Sequence, residues 1–157
     1  MWPIERNAAI KRLARTAARQ RIANRELTRA IYRAAHDEGL SQRQISDVLG
    51  TLSQASVQRT LQRAAENPSM LDETPAEVID RRAAGLINTK DMMQRLLNWT
   101  YTFGYVPHIE GTATDAYNSG GWDEVERAYY RGLLSDDEFS RLVQRHKELI
   151  ERAARAN

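Results

Sequence analysis

Between Ser41 and Arg63 the chain carries short polar and cationic side chains at helical spacing: Ser41, Gln42 and Arg43, then Ser53, Gln54, Ala55, Ser56, Gln58, Arg59 and Arg63. Gln can grip adenine through two hydrogen bonds, Arg can do the same with guanine, and an Ala methyl can touch the methyl of thymine. The Ser41 and Ser53 hydroxyls, the Arg43 guanidinium and the free amides of helix starts can hold phosphates. Arg63, one turn beyond Arg59, suits the sugar–phosphate backbone. These residue types offer recognition of double-stranded DNA rather than bond making. Other chemistry has little to build on. His36, His108 and His146 are far apart, with no metal-ligand spacing, and there is no Cys. Neither a phosphate-cradling glycine loop nor a nucleophile motif is present. Asp136-Asp137-Glu138 reads as helix-start charge meeting the macrodipole. No enzyme activity, metal or cofactor is expected.

Two short helices must position these residues. Ser41 is a good N-cap, and Gln42 to Leu49 make two turns with Ile45, Val48 and Leu49 inward. Gly50 breaks the helix, Leu52 anchors the turn, and Ser53 caps a second helix from Gln54 to about Ala65, with Val57 and Leu61 inward. Two short helices joined by a Gly-containing turn describe a DNA-reading bihelical unit. Upstream, Ile4, Ala8, Ala14, Ala18, Ile22, Leu27, Ile31 and Ala35 recur at helical spacing behind Pro3. They predict one long helix, or two meeting near Asn24, ending at Gly39 and exposing Arg12, Arg15, Arg19, Arg25, Arg29 and Arg33.

The block resembles the helix-turn-helix of bacterial and phage transcription regulators. The likeness rests on Leu40-Ser41-Gln42-Arg43-Gln44-Ile45, Leu49-Gly50 and Ser53-Gln54-Ala55-Ser56-Val57-Gln58-Arg59, and covers about twenty-five residues. Ser46 departs from the family, which usually has Ala there. The stretch from Gly50 to Val57 is one residue longer than usual. The resemblance implies a recognition helix beginning at Gln54.

The 157 residues are 41% hydrophobic and 28% charged, enough for one ordinary domain or two small ones. No apolar run approaches the ~18 residues of a membrane span. No apolar signal core follows Met1–Arg6, so a cytoplasmic protein is expected. The net charge of +2 is unevenly spread: residues 1–67 hold 12 Lys/Arg against 6 Asp/Glu, and residues 68–157 hold 11 against 15. A basic front and an acidic back suggest separate tasks, the first directed at a polyanion.

Asn67-Pro68-Ser69 closes the front block, and Thr74-Pro75-Ala76-Glu77 opens a new helix that should stop near Gly85. Here a repeat begins. Glu77, Val78, Gly85 and Leu86 recur 47 residues later as Glu124, Val125, Gly132 and Leu133. Ile87/Leu134, Met92/Phe139 and Leu96/Val143 keep their apolar character. Each copy reads as a short helix, a Gly stop, an apolar pair closing the crossing, and a polar cap opening a second helix; in the second copy that cap is Ser135-Asp136-Asp137-Glu138. Between the copies Trp99, Tyr101, Phe103 and Tyr105 alternate with Thr100, Thr102 and Gly104, the period of an extended segment. These four aromatics either fill the space between the hairpins or form a docking face for a protein partner. Asn118-Ser119-Gly120-Gly121 reads as a turn.

Tyr130-Arg131-Gly132-Leu133-Leu134-Ser135-Asp136-Asp137-Glu138-Phe139 is similar to a small carboxy-terminal oligomerisation motif, and the back half looks like helical modules appended to actinobacterial-type regulators and some antitoxins. That resemblance implies self-association or partner binding. The expected protein is therefore all-α, with a basic helix-turn-helix domain at 1–67 and an acidic domain of two repeated hairpins at 68–157. Its expected function is a sequence-specific regulator, a repressor, acting on double-stranded DNA, with the back half forming a homodimer or binding a protein partner. The alternatives are an antitoxin that binds a toxin through its back half, or an interaction module without specific DNA binding.

Overall fold

A computed structural model describes residues 4–103, 108–109, 112–113 and 121–156. The fold is all-α, apart from a two-residue antiparallel pairing of β1 (His108–Ile109) with β2 (Thr112–Ala113).

Helix α1 runs unbroken from Ile4 to His36. Its Ala, Arg, Leu and Gln content favours helix at nearly every position. Asn24 does not interrupt it: the Thr28 hydroxyl donates to the Asn24 carbonyl at 3.1 Å, so the polar stretch is absorbed into the helix. The end follows Schellman geometry, with Gly39 at φ 70° and the Leu40 amide donating to the Ala34 carbonyl at 2.9 Å. Helices α2 (Gln42–Leu49) and α3 (Gln54–Glu66) follow, then a 3₁₀ turn at Pro68–Leu71.

The contacts divide the chain into two compact units. One is Arg19–Glu73; the other joins Met1–Ala18 to Thr74–Asn157. The first unit reaches past residue 67: the 3₁₀ turn packs on α3, and the Arg29 guanidinium donates to the Leu71 carbonyl at 2.7 Å and the Asp72 carbonyl at 3.1 Å. Its core is Ile31, Ile45 and Val57, flanked by Ala34, Ala35, Leu40, Leu49, Leu52 and Leu61. Charge does not follow this division as a split at residue 67 suggests. Residues 19–73 hold 8 Lys/Arg against 7 Asp/Glu, while residues 1–18 alone hold 4 against 1.

In the second unit the 47-residue repeat appears as structure. Helices α4 (Pro75–Ala83) and α5 (Thr89–Leu97) make one hairpin; α6 (Trp122–Tyr130) and α7 (Asp136–Arg145) make the other. Both turns use the same two bonds. Gly85 and Leu86 donate to Arg82 and Arg81 at 3.0 and 2.8 Å; Gly132 and Leu133 donate to Tyr129 and Ala128 at 3.0 and 2.9 Å. Gly85 and Gly132 have φ of 78° and 77°, which only glycine adopts without strain. Asn88 and Ser135 cap the second helices, Ser135 in a full capping box with Glu138. Equivalent helices pack together, α4 on α6 and α5 on α7. They enclose Val78, Ile79, Met92, Leu96, Trp122, Val125, Leu134 and Leu142. Helix α8 (Lys147–Ala156) packs on α7.

The apolar pairs after each Gly do not both turn inward. Leu134 is buried and Ile87 half-buried, but Leu86 is 53% exposed. Leu133, the first residue of the other pair, is half-buried against the core, so only the first copy turns its leading Leu out to solvent.

Candidate nucleic-acid interface

Local sequence builds the α2–α3 pair. The Ser41 hydroxyl accepts from the Gln44 amide at 3.1 Å, and the Gln44 side chain accepts from the Ser41 amide at 2.8 Å. This reciprocal box fixes the start of α2. Gly50, at φ 71°, ends it with its amide on the Ser46 carbonyl. Ser46 then accounts for its own departure from the expected Ala: its hydroxyl donates to the Leu52 carbonyl at 2.6 Å, a bond that ties down the longer turn. Ser53 opens α3 by accepting from the Ser56 amide at 3.1 Å.

Packing then decides what faces solvent. Ile45 and Val57 are buried with Ile31 of α1 in one cluster, and Leu49, Leu52 and Leu61 are half-buried against it. Val48 corrects the expectation that it points inward: it is 81% exposed. In a helix of two turns the covered stripe takes only Ile45 and Leu49. Val48 instead lies at the rim of an apolar groove of about 190 Å³ with Leu27, Ala30 and Leu40.

All the residues singled out for DNA contact lie on this unit, and all but one are exposed: Ser41, Gln42, Arg43, Ser53, Gln54, Ala55, Gln58, Arg59 and Arg63. Ser56 is half-buried and engaged, receiving bonds from the Ser53 hydroxyl and from the Arg59 guanidinium, each at 3.1 Å. Gln54, Ala55, Gln58, Arg59 and Gln62 recur at one-turn spacing, so one face of α3 presents amide, methyl and guanidinium groups together. Gln62 went unnoticed in the sequence, although it continues this face; its side chain donates to Glu66 at 3.0 Å. Arg63 leans back on the Arg59 carbonyl at 3.4 Å. The first-turn amides of α2 and α3 add the positive ends of two helix dipoles.

The aromatic residues proposed as a docking face behave otherwise. Tyr101 is 4% exposed; its hydroxyl donates to the Leu96 carbonyl at 2.9 Å and its ring meets Trp122 edge-on at 5.2 Å. Burial pushes its phenol pKa up. Trp99 and Phe103 are half-buried and pack on the same core. These residues fill the space between the hairpins, and Tyr101 is corrected from a partner contact to a core residue. Tyr105 lies outside the described residues, as does the turn at 118–120.

No family model, curated protein or solved structure matches this chain.

Among the described residues, no group of three or more His, Asp or Glu is placed to hold a metal ion, and no helix is long and apolar enough to cross a membrane. A two-pronged ion pair in the second unit links its hairpins. Arg82 on α4 donates to Glu138 on α7 and to the Leu133 carbonyl, the latter at 2.8 Å. The Arg82 hydrogen bonds hold the Glu138 carboxyl below the usual carboxylate range against the opposing effect of burial. His146, buried beside Tyr101 with ring centroids 4.7 Å apart, is pushed the other way, its pKa lowered chiefly by desolvation.

Proposed function

We propose that this protein is a sequence-specific DNA-binding regulator, a repressor, whose recognition helix is α3. One observation carries the reading: the exposed face of a doubly capped helix pair presents Gln54, Ala55, Gln58 and Arg59 in consecutive turns, with Ile45 and Val57 packed behind. Those are the side chains that discriminate base edges in the major groove, and the capped helix starts beside them suit phosphates. Charge contributes less, because residues 19–73 carry only a small basic excess. Base-edge contacts and helix-start amides would therefore supply much of the affinity. The two-hairpin unit would serve assembly, as a homodimer or with a protein partner such as a toxin.

The test is a fluorescence titration against DNA selected from a random-sequence pool, with bulk genomic DNA as competitor. Gln54→Ala and Arg59→Ala should each lose about 1–3 kcal/mol on the selected site while binding bulk DNA almost as before. A chain that selects no sequence over bulk DNA is instead the interaction module without specific DNA binding.

A further inference from the structure

The groove between α5 and α7 has a lining that the assembly role does not explain. On α5, Lys90, Met93, Gln94 and Leu97 follow one face; on α7, Arg141 and Arg145 stand one turn apart. The cavity is about 840 Å³, within the range of sites that hold small ligands. Met93 is buried and Leu97 half-buried, so the base is apolar, while Lys90, Arg141 and Arg145 are exposed around it. No acidic residue lines it.

The cations are not spent on their own fold. Arg81, Arg82 and Arg127 pair with Glu77, Glu138 and Asp123. Among the described residues, Lys90, Arg141 and Arg145 form no ion pair. They converge although residues 74–157 carry 13 Asp/Glu against 11 Lys/Arg. The repeat explains the placement. Gln94 and Arg141 are equivalent positions 47 residues apart, and so are Asn98 and Arg145; all four line this cavity. Equivalent residues meet where equivalent helices pack, and there the second copy carries Arg opposite the neutral amides of the first.

We propose that this groove binds a small amphipathic anion, a carboxylic acid or phosphate ester with an apolar body. The body would lie on Met93 and Leu97. The charged head would be held by the Arg141 and Arg145 guanidinium groups, whose donors match carboxylate and phosphate oxygens in pairs, with Lys90 as a third positive charge. The site is a property of the second unit and does not depend on DNA binding by the first.

The full chain is titrated calorimetrically with octyl phosphate below its micelle concentration, and separately with octanoate, inorganic phosphate and octyl glucoside. One saturable site is expected for octyl phosphate or octanoate, and whichever binds tighter identifies the head group. Inorganic phosphate and octyl glucoside should each bind at least about tenfold more weakly. Arg141→Gln with Arg145→Gln should weaken the amphiphile about tenfold or more, with helical circular dichroism unchanged. Should that variant fail to fold, the Met93 methyl resonance of the unaltered chain gives the same answer by shifting on titration. Equal binding of octyl glucoside or inorganic phosphate, an unmoved Met93 methyl, or full affinity in the folded double variant would each overturn the proposal.

Discussion

Arg82 and Glu138 meet through two parallel hydrogen bonds, Nη1 to Oε2 at 2.7 Å and Nη2 to Oε1 at 3.0 Å, across 56 residues of sequence. The same carboxylate accepts from the Ser135 amide at 2.9 Å, so the ion pair between hairpins and the cap of α7 share one group. Glu138→Gln should lower unfolding stability by about 2 kcal/mol in urea titration. Because its carboxyl is held below the usual range, its contribution is fully present above the unfolded value near 4.3 and fades as pH falls through the lower folded value. The Gln variant should lose that part of the acid slope.

His146 acts at higher pH. Desolvation disfavours its imidazolium, so the folded state takes up a proton less readily than the unfolded chain. Stability is therefore independent of this group above about pH 6.5 and declines as pH drops from there toward the lower folded value. Unfolding followed by Trp fluorescence between pH 7.5 and 5 should show the decline. His146→Gln should flatten it, and an unchanged slope would place the titration elsewhere.

Ser46 is where the first unit departs from its resemblance, and the departure is structural. Removing its hydroxyl leaves the Leu52 carbonyl without this donor, so Ser46→Ala should cost about 1 kcal/mol in thermal unfolding. A gain in stability instead would mean that the bond to Leu52 does not hold the longer turn.

Val48 and Ile45 lie three residues apart on α2 yet differ completely in exposure. Ile45→Ala should cost about 2–4 kcal/mol, whereas Val48→Ser should change stability by less than about 0.5 kcal/mol. A large loss at Val48 would show that the apolar groove beside it is covered in solution.

The element boundaries were legible because local chemistry sets them. Ser41, Ser53, Thr74 and Ser135 each cap the helix that follows, and Gly50, Gly85 and Gly132 stop the one before. The solvent exposure of the candidate residues on α2 and α3 was legible for the same reason, since a short helix between two caps leaves little freedom of register. What the sequence left hidden depends on long-range placement. Nothing local says that Val48 sits beyond the covered stripe, that Tyr101 is inside, or that Arg82 reaches Glu138. The charge contrast is weaker between the two units than along the chain, because residues 1–18, with 4 Lys/Arg against 1 Asp/Glu, fall in the unit formed with Thr74–Asn157.

The 47-residue repeat makes one polypeptide carry what a symmetric dimer would build from two. In such a dimer a substitution appears twice, so a residue useful on one side must be tolerated on the other. Here position 82 is Arg, which grips Glu138, while its counterpart 129 is Tyr, whose hydroxyl bonds Asp136 at 2.6 Å. Each half was free to specialise without its twin following.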